Sequence, residues 1–331
     1  MSSVAVVAHK GKTFGGGLKE LRRALADAGC HKPIWYEVPK SRKARKAIHR
    51  AVKDGAKLVF VWGGDGMVQR CVDALKGSDV ALAIVPAGTG NLLATSLGIP
   101  KDIAKAVAIG LRGERRGLDV GVMNGERFTV MAGTGFDAVL IDDADKREKK
   151  RLGRLAYFRS TVKAMQAQRV GMKILVDGNL WFAGKASCLL VGNIGKVTAG
   201  LDVFENASPS DGMLDIGVVT ANSTFQWMRV FSRLARGHVE RSPFVETTRG
   251  KKIVVEMERK AAYELDGGAR SRVKRLKVHV EAGALTVCAP ATARRPSLPE
   301  PRPRPMRDRR APERHVNGRP RELILGAPTV G

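Results

Sequence analysis

Apolar and polar positions alternate in two different periods along the first third of the chain. Four apolar runs have the length of buried strands, and they are Val4–Ala8, Ile34–Val38, Leu58–Trp62 and Val80–Val85. Apolar residues recur at helical spacing in the segments that follow these runs, Leu18–Ala28, Ser41–Asp54, Met67–Leu75 and Asn91–Leu97. Strands separated by helices predict a mostly parallel sheet with helices on both faces. Ligands bind such sheets outside the C-terminal ends of the strands.

The pattern changes near Leu118, where short segments rich in Val, Ile, Leu and Thr become dominant. Turn signals such as Asn124–Gly125 separate several of these segments. The predicted strands are Leu118–Met123, Arg127–Ala132, Lys173–Val176, Lys185–Val191, Leu214–Val219, Lys252–Glu256, Lys274–Val280 and Ala284–Cys288. Two predicted helices interrupt them, near Arg151–Gln168 and Ser223–Gly237. The second part of the chain is therefore predicted to be β-rich.

These patterns divide the chain into three parts. Residues 1–118 form the α/β part and residues 119–290 the β-rich part, whose end is a candidate to return to the first domain. Residues 291–331 hold eight prolines and ten arginines, and proline at this density blocks both helix formation and sheet pairing. We expect a disordered basic tail there.

Charge adds one constraint, because 58 basic and 32 acidic residues give a net charge of +26. Such a balance predicts attraction to nucleic acid, to an anionic lipid surface or to a phosphorylated ligand. No nucleic-acid-binding motif accompanies it, so a nucleic-acid partner is not expected. The four scattered cysteines predict reduced thiols, and no apolar run reaches the roughly 18 residues that span a bilayer. We expect a cytoplasmic protein that is soluble or attached to a membrane from its surface.

The strongest chemical signal is the loop Gly63–Gly66, which joins an apolar strand directly to a helix. Glycines let the backbone approach a phosphate closely, and the free N–H groups at a helix start favour negative charge. Asp65 in this loop would repel phosphate unless a metal or a proton transfer involves it. The alternative is a strand-to-helix turn that uses Gly and Asp for their backbone geometry.

A second glycine-bearing loop, Pro86–Asn91, ends the next strand. Thr89 and Asn91 offer a hydroxyl and an amide to a phosphate or ribose, although Asn91 is equally suited to cap a helix. With the glycine-rich turn Gly11–Gly17 after the first strand, the loops predict one phosphate-binding crevice. A Walker A motif is excluded, because its first glycine would fall on Val6.

Six short motifs follow one another in a fixed order over about residues 4–290. They are Gly63–Gly66, Pro86–Asn91, Gly133–Ala138, Arg151–Tyr157, Ser208–Asp215 and Glu264–Gly267. In this order they resemble the diacylglycerol kinase catalytic family of soluble bacterial lipid kinases, which is related to sphingosine kinases. The resemblance implies an α/β N-terminal nucleotide-binding domain and a β-sandwich-like C-terminal lipid-binding domain, a fold of the NAD kinase/diacylglycerol kinase type. NAD kinases share the first motif, but Pro86–Asn91 and the Asp211 loop favour the lipid family.

The resemblance also implies an activity, cofactors and partners. The reaction is transfer of the γ-phosphoryl group of ATP to the hydroxyl of diacylglycerol with Mg²⁺, a step of phospholipid biosynthesis. The alternatives are a kinase for a sphingoid or other long-chain alcohol, and a catalytically weak lipid- or nucleotide-binding protein. The implied partners are the lipid substrate and an anionic membrane surface, and a homodimer stays open.

The implied site residues fall into two groups. The ATP-binding residues are Ser41, Gly63, Gly64, Asp65, Gly66, Met67, Val68, Gln69, Arg70, Gly88, Thr89 and Asn91. The structural Mg²⁺ would be bound by the Asp211 carboxylate and the carbonyls of Ser208 and Met213.

The chain departs from the family pattern at three positions. Met67 stands where the pattern often has Thr, and Leu92 stands where many members have Asp. Gly268 stands where the family has Glu, the proposed general base. Asp65 is then the first candidate for the catalytic carboxylate and Asp266 the second.

Basic residues cluster in two segments, Ser41–Lys57 and Lys146–Arg154. They form either solvated helix faces or contacts with an anionic membrane, where each Lys or Arg near the surface contributes about 1 kcal/mol. A lipid kinase reaches its substrate in a bilayer, so peripheral membrane association is expected.

Overall fold

The computed structural model describes residues 3–135, 169–195, 203–205 and 207–291. Several predictions fall outside these residues. They concern the motif residues Phe136–Ala138 and Arg151–Tyr157, the helix Arg151–Gln168, the basic cluster Lys146–Arg154 and residues 292–331 of the tail.

The N-terminal part is an α/β layer structure. Its elements are β1 (Val4–His9), α1 (Gly17–Asp27), β2 (Ile34–Val38), a 3₁₀ turn (Ser41–Lys43), α2 (Ala44–Lys53), β3 (Leu58–Gly63), α3 (Asp65–Ala74), β4 (Ala81–Pro86), α4 (Leu92–Ser96) and α5 (Ile103–Arg112). The strands lie in the order β4–β3–β1–β2, and all neighbours in this order are parallel. β3 and β4 are buried along their whole length, as expected for strands covered on both faces.

The predicted strands of this part agree with the structure, whereas three helices differ. The predicted helix from Ser41 begins as a 3₁₀ turn, and α2 starts only at Ala44. α3 begins at Asp65, two residues before the predicted start, because the chain turns into the helix directly after Gly64. α5 was not predicted from the sequence, although its start carries a signal. The Asp102 carboxylate accepts a hydrogen bond of 2.9 Å from the backbone N–H of Lys105, which caps the helix.

The C-terminal part is dominated by antiparallel strands. Its elements are β5 (Glu114–Met123), β6 (Glu126–Phe128), β7 (Met131–Thr134), β8 (Val170–Val176), β9 (Asn179–Ala186), β10 (Cys188–Gly192), β11 (Leu214–Val219), α6 (Thr224–Leu234), a 3₁₀ turn (Val239–Arg241), β12 (Val245–Gly250), β13 (Lys252–Leu265) and β14 (Gly268–Ala289). Its apolar core holds Phe128, Ile174, Ile216 and Leu276, all fully buried.

Some strands of this part are longer than predicted. β13 continues nine residues past Glu256, and β14 joins the two predicted strands Lys274–Val280 and Ala284–Cys288 into one. Pairing resumes after a bulge at each interruption of the apolar pattern, past Glu256 in β13 and past Glu281 in β14. The predicted strand Arg127–Ala132 is divided between β6 and β7.

One strand connects the two parts. β14 pairs antiparallel with β13 and β5, and near its end Val287 pairs in parallel with Leu82 of β4. The described strands thus form one sheet in the order β12–β11–β10–β7–β13–β14–β4–β3–β1–β2, with β5, β6, β8 and β9 attached beside this path. None of the helices in the described ranges has the length and apolarity needed to cross a bilayer.

Candidate active site

The three glycine-bearing loops lie at one edge of the parallel sheet. β1, β3 and β4 are neighbours, so the loops after their C-terminal ends lie next to one another. Ser41 begins the turn after β2, the parallel neighbour of β1, and therefore lies at the same edge. The sheet order brings together the parts of the crevice that the sequence predicts.

The loops Gly63–Gly66 and Pro86–Asn91 are in direct backbone contact. A Cβ atom on Gly64 would lie 3.0 Å from the Cα of Gly88, and one on Gly88 would lie 2.5 Å from the Cα of Gly64. The N–H of Ala87 also donates a 2.9 Å hydrogen bond to the carbonyl of Gly63. Glycine at both positions is thus required by the close approach of the two loops.

The Asp65 carboxylate links the loop Gly63–Gly66 to the loop Pro86–Asn91 by hydrogen bonds. It accepts hydrogen bonds from the backbone N–H groups of Asn91 at 2.8 Å and Leu92 at 2.5 Å. Burial raises the pKa of Asp65, and the hydrogen bonds from the N–H groups of Leu92 and Asn91 oppose this effect, followed by the charge of Lys12. Asp65 therefore positions the backbone of the second loop at Asn91 and Leu92, and its proposed part in proton transfer stays a prediction.

Asn91 closes the second loop on itself. Its side-chain oxygen accepts from the N–H of Gly88 at 2.9 Å, and its side-chain amide donates to the Gly88 carbonyl at 2.9 Å. Asn91 adopts the left-handed conformation, with φ of 49°, and its side chain does not cap α4. Thr89, by contrast, is exposed at the tip of the loop, where its hydroxyl is accessible to a ligand.

Three predicted ATP-binding residues on α3 have buried side chains. Met67 and Val68 lie in the apolar core, and the side-chain amide of Gln69 donates to the carbonyl of Arg127 at 2.7 Å. A Cβ on Gly63 would lie 2.5 Å from the Cβ of Met67, so the two residues are in tight contact. Any contact of Met67, Val68 or Gln69 with a nucleotide would involve the backbone.

Asp266, the second catalytic candidate, is buried among its own hydrogen-bond donors. Its carboxylate accepts from the N–H groups of Thr129, Val130 and Met131 at 2.9–3.0 Å and from the Thr129 hydroxyl at 3.1 Å. Burial is the main cause that raises the pKa of Asp266. The residue holds the connection between β6 and β7, a long-range role that the sequence motif does not reveal.

A carboxylate that the sequence analysis missed lies close to Gly268. A Cβ on Gly268 would lie 2.9 Å from Nη1 of Arg270, and Nε of Arg270 donates to both carboxylate oxygens of Glu126 at 2.9 and 3.0 Å. Arg70 contacts the same carboxylate at 3.3 Å. Burial alone would raise the pKa of Glu126, but Arg270 and Arg70 outweigh it and lower the pKa.

The Asp211 loop does not fit the Mg²⁺ that the family resemblance implies. One Asp211 oxygen accepts from the N–H of Met213 at 3.0 Å, and the other forms an ion pair with Arg249. Arg249 also contacts Asp215 at 3.1 Å, so a guanidinium already supplies the positive charge here.

The loop is further held by Asp119, another residue without a sequence signal. Its two carboxylate oxygens accept from the N–H groups of Gly212 at 2.6 Å and Gly283 at 2.8 Å. Asp119 thus joins the Asp211 loop to β14.

Comparisons with known proteins identify two regions. Residues 8–123 match the family model "Diacylglycerol kinase catalytic domain", and residues 130–289 match "YegS C-terminal NAD kinase beta sandwich-like domain". The chain is 34% identical over 221 residues to a diacylglycerol kinase of Mycobacterium tuberculosis (strain ATCC 25618 / H37Rv), covering 64% of this chain and 71% of the relative. It is 29% identical over 184 residues to the lipid kinase YegS of Escherichia coli (strain K12), covering 54% and 62%.

A solved structure supports the fold. The crystal structure of a diacylglycerol kinase from Bacillus anthracis str. Sterne superimposes with a TM-score of 0.69 at 23% identity, covering 88% of this chain and 97% of that one. At 23% sequence identity, this similarity is evidence for the fold alone. It confirms the predicted combination of an α/β N-terminal part with a β-sandwich-like C-terminal part.

Proposed function

The chain belongs to the diacylglycerol kinase catalytic family of lipid kinases, and from that premise we propose that it phosphorylates the hydroxyl of diacylglycerol. A lipid kinase of this family takes its phosphoryl group from ATP and has a lipid as its acceptor. In this proposal residues 1–118 bind ATP, residues 119–290 bind the lipid, and residues 291–331 form a basic tail. Mg²⁺ accompanies ATP as part of the substrate.

The observation that carries the proposal is the contact between the Gly64 and Gly88 loops at the edge of the parallel sheet. A side chain at either position would separate the loops, and their backbones would no longer face one space. Glycine loops at adjoining strand ends are the arrangement in which backbone approaches phosphate closely. Phosphoryl transfer depends mainly on such positioning and on positive charge near the phosphates.

Positive charge is supplied close to these loops. Lys12, in the loop after β1, is one of the groups whose charge opposes the burial that raises the pKa of Asp65. The ammonium group is therefore suited to contact a phosphate in the crevice, a role that the sequence analysis did not assign. The net charge of +26 further supports attraction to nucleotides and to an anionic membrane.

A second candidate function, a catalytically weak lipid- or nucleotide-binding protein, rests on Gly268. The family position for the general base has no carboxylate, and the nearby Glu126 is held in ion pairs by Arg70 and Arg270. A base contributes about 10²–10⁴-fold to such reactions, so its loss slows turnover without removing positioning.

The deciding experiment is phosphoryl transfer from labelled ATP into a lipid panel. The panel contains diacylglycerol, a sphingoid base, a long-chain alcohol and a mixture without acceptor. We expect label in phosphatidic acid and not in the other products. Label in the sphingoid or alcohol product alone would select that acceptor class, and nucleotide binding without transfer would select the binding protein.

A matched pair of glycine variants tests the loop contact. Gly64→Ala introduces a Cβ 3.0 Å from the Cα of Gly88, and we expect it to abolish transfer. Gly117→Ala is the control, since the nearest atom to its new Cβ is 4.0 Å away in a strand far along the chain from the loops. Equal turnover in the two variants would contradict the assignment of the crevice.

A further inference from the structure

Helix α6 presents apolar side chains on both of its faces. Trp227, Val230 and Leu234 are buried against the core of the protein. On the opposite face Phe225 is 62% exposed and Met228 is 47% exposed. Residues three apart lie side by side on a helix, so these two form one apolar patch. Among the described residues, Leu180 on β9 is the one other exposed large apolar side chain.

Arg229 flanks this patch, and its guanidinium lies 5.8 Å from the ring centroid of Phe225. Arg236 follows just past the end of the helix and is also exposed. No acidic residue occurs from Asn222 to Val239. We name the set Phe225, Met228, Arg229 and Arg236 the α6 outer face.

We propose that the α6 outer face docks on an anionic bilayer surface. The inference rests on the proposed function in one respect, because a lipid kinase must reach an acceptor that resides in a bilayer. Large apolar side chains with flanking arginines on an exposed helix face are the composition that binds at the boundary between headgroups and acyl chains. Phe225 and Met228 enter that boundary, while Arg229 and Arg236 contact anionic headgroups.

Charge argues against the other occupants. In a twofold dimer formed through this face, the same positively charged patch would lie against itself. The chain's own tail, residues 291–331, carries ten arginines and four acidic residues, so it is repelled as well. An anionic surface is the partner whose charge complements the face.

The test is sedimentation with vesicles in the absence of ATP. Vesicles of phosphatidylcholine alone are compared with vesicles that contain phosphatidylglycerol, and binding is expected with the second kind. Phe225→Ser with Met228→Ser removes the apolar patch, and Arg229→Gln with Arg236→Gln removes its charge. We expect each double variant to bind the anionic vesicles at least about tenfold more weakly.

Leu180→Ser is the matched control, because it removes an exposed leucine from a different element. It is expected to bind as the unmodified chain does. The thermal midpoint is measured for every variant, and it is expected to stay unchanged because all substituted side chains are exposed.

Equal vesicle binding by all variants would overturn the proposal. So would a dimer in size-exclusion chromatography that Phe225→Ser with Met228→Ser dissociates, since the face would then bind a second copy. The outcome is separable from the proposed function, because vesicle binding is measured without ATP or acceptor. A chain that binds vesicles through α6 but transfers no phosphate would retain this inference and refute the lipid kinase activity.

Discussion

Asp65→Asn is the substitution that most directly separates positioning from proton transfer. In the protein each carboxylate oxygen of Asp65 accepts one backbone N–H, from Asn91 at 2.8 Å and from Leu92 at 2.5 Å. Asparagine has nearly the same size but only one acceptor oxygen. Its NH₂ group would face one of the two N–H donors, so at least one hydrogen bond is lost.

The magnitude follows from the kind of hydrogen bond that is lost. A hydrogen bond to a charged group contributes about 1.5–3 kcal/mol, and the unpaired buried N–H adds to the loss. Burial raises the pKa of Asp65, so the neutral amide avoids part of the desolvation cost of the carboxylate. We therefore expect the free energy of unfolding to fall by about 2 kcal/mol. Asp79→Asn, at an exposed position, is the control and is expected to change it by less than about 0.5 kcal/mol.

The assay combines urea unfolding with steady-state kinetics. If Asp65 acts by holding the Asn91 loop, the unfolding midpoint falls and KM for ATP rises, while kcat at saturating ATP is largely retained. If Asp65 carries the proton or a metal, kcat falls by orders of magnitude. An unfolding midpoint equal to that of Asp79→Asn would refute the reasoning, because the two backbone hydrogen bonds would then have no measurable contribution.

Four further outcomes are expected. Gly268→Glu should raise kcat by about 10²-fold, the low end for a general base. Glutamate fits at this position because Gly268 does not have a positive φ, and because the atom nearest to the new Cβ is the flexible end of an arginine side chain. Asp266→Asn should lower the free energy of unfolding by about 2–4 kcal/mol in urea melts, because four hydrogen bonds converge on that buried carboxylate. The arginine partners of Glu126 and Glu281 lower the pKa values of both carboxyl groups. The stability that these groups contribute is therefore present above the usual pKa of about 4.3, and it is lost as the pH falls through their pKa values in the folded protein. Thermal midpoints between pH 7 and pH 3 should show this loss, and Glu281→Gln should flatten it. EDTA should leave the thermal midpoint of the ATP-free unmodified protein unchanged. The thermal midpoint of the Arg249→Met variant, by contrast, should rise when Mg²⁺ is added. A midpoint of the unmodified protein that depends on Mg²⁺ would contradict the poor fit of the metal.

The parts of the fold that could be predicted are those with a local signal. β3 and β4 are apolar runs buried on both faces, and glycine turns mark their ends, so strands and loops were both visible in the sequence. The sequence predicts two strands in place of β14. The apolar pattern is interrupted there by charged residues on the exposed face and by Gly283, which has a φ of 59°. Pairing with β5 resumes at Leu285 after a bulge at this interruption, so the two predicted segments belong to one strand.

The candidate site was predictable in its loops but not in its internal bonds. Asp65 and Asn91 are recognisable as residue types suited to chemistry, yet the hydrogen bond of the Asp65 carboxylate to the Asn91 N–H joins loops 26 residues apart. Arg249 lies 38 residues from Asp211, and no sequence spacing indicates that a guanidinium contacts this carboxylate. Such contacts arise from strand pairing between β11 and β12, which a single sequence does not specify.

The path of β14 has a consequence for dividing the chain. The two regions that match separate family models meet near residue 123, which invites expression of the first region by itself. β14, the last strand of the described residues, covers the β4 edge of the N-terminal sheet through the pairing of Val287 with Leu82. A fragment that stops at residue 123 would expose that edge, and unpaired edges recruit other strands and cause aggregation. A fragment of residues 1–123 with β14 fused ahead of β1 would test whether the N-terminal part needs only this one borrowed strand to fold by itself.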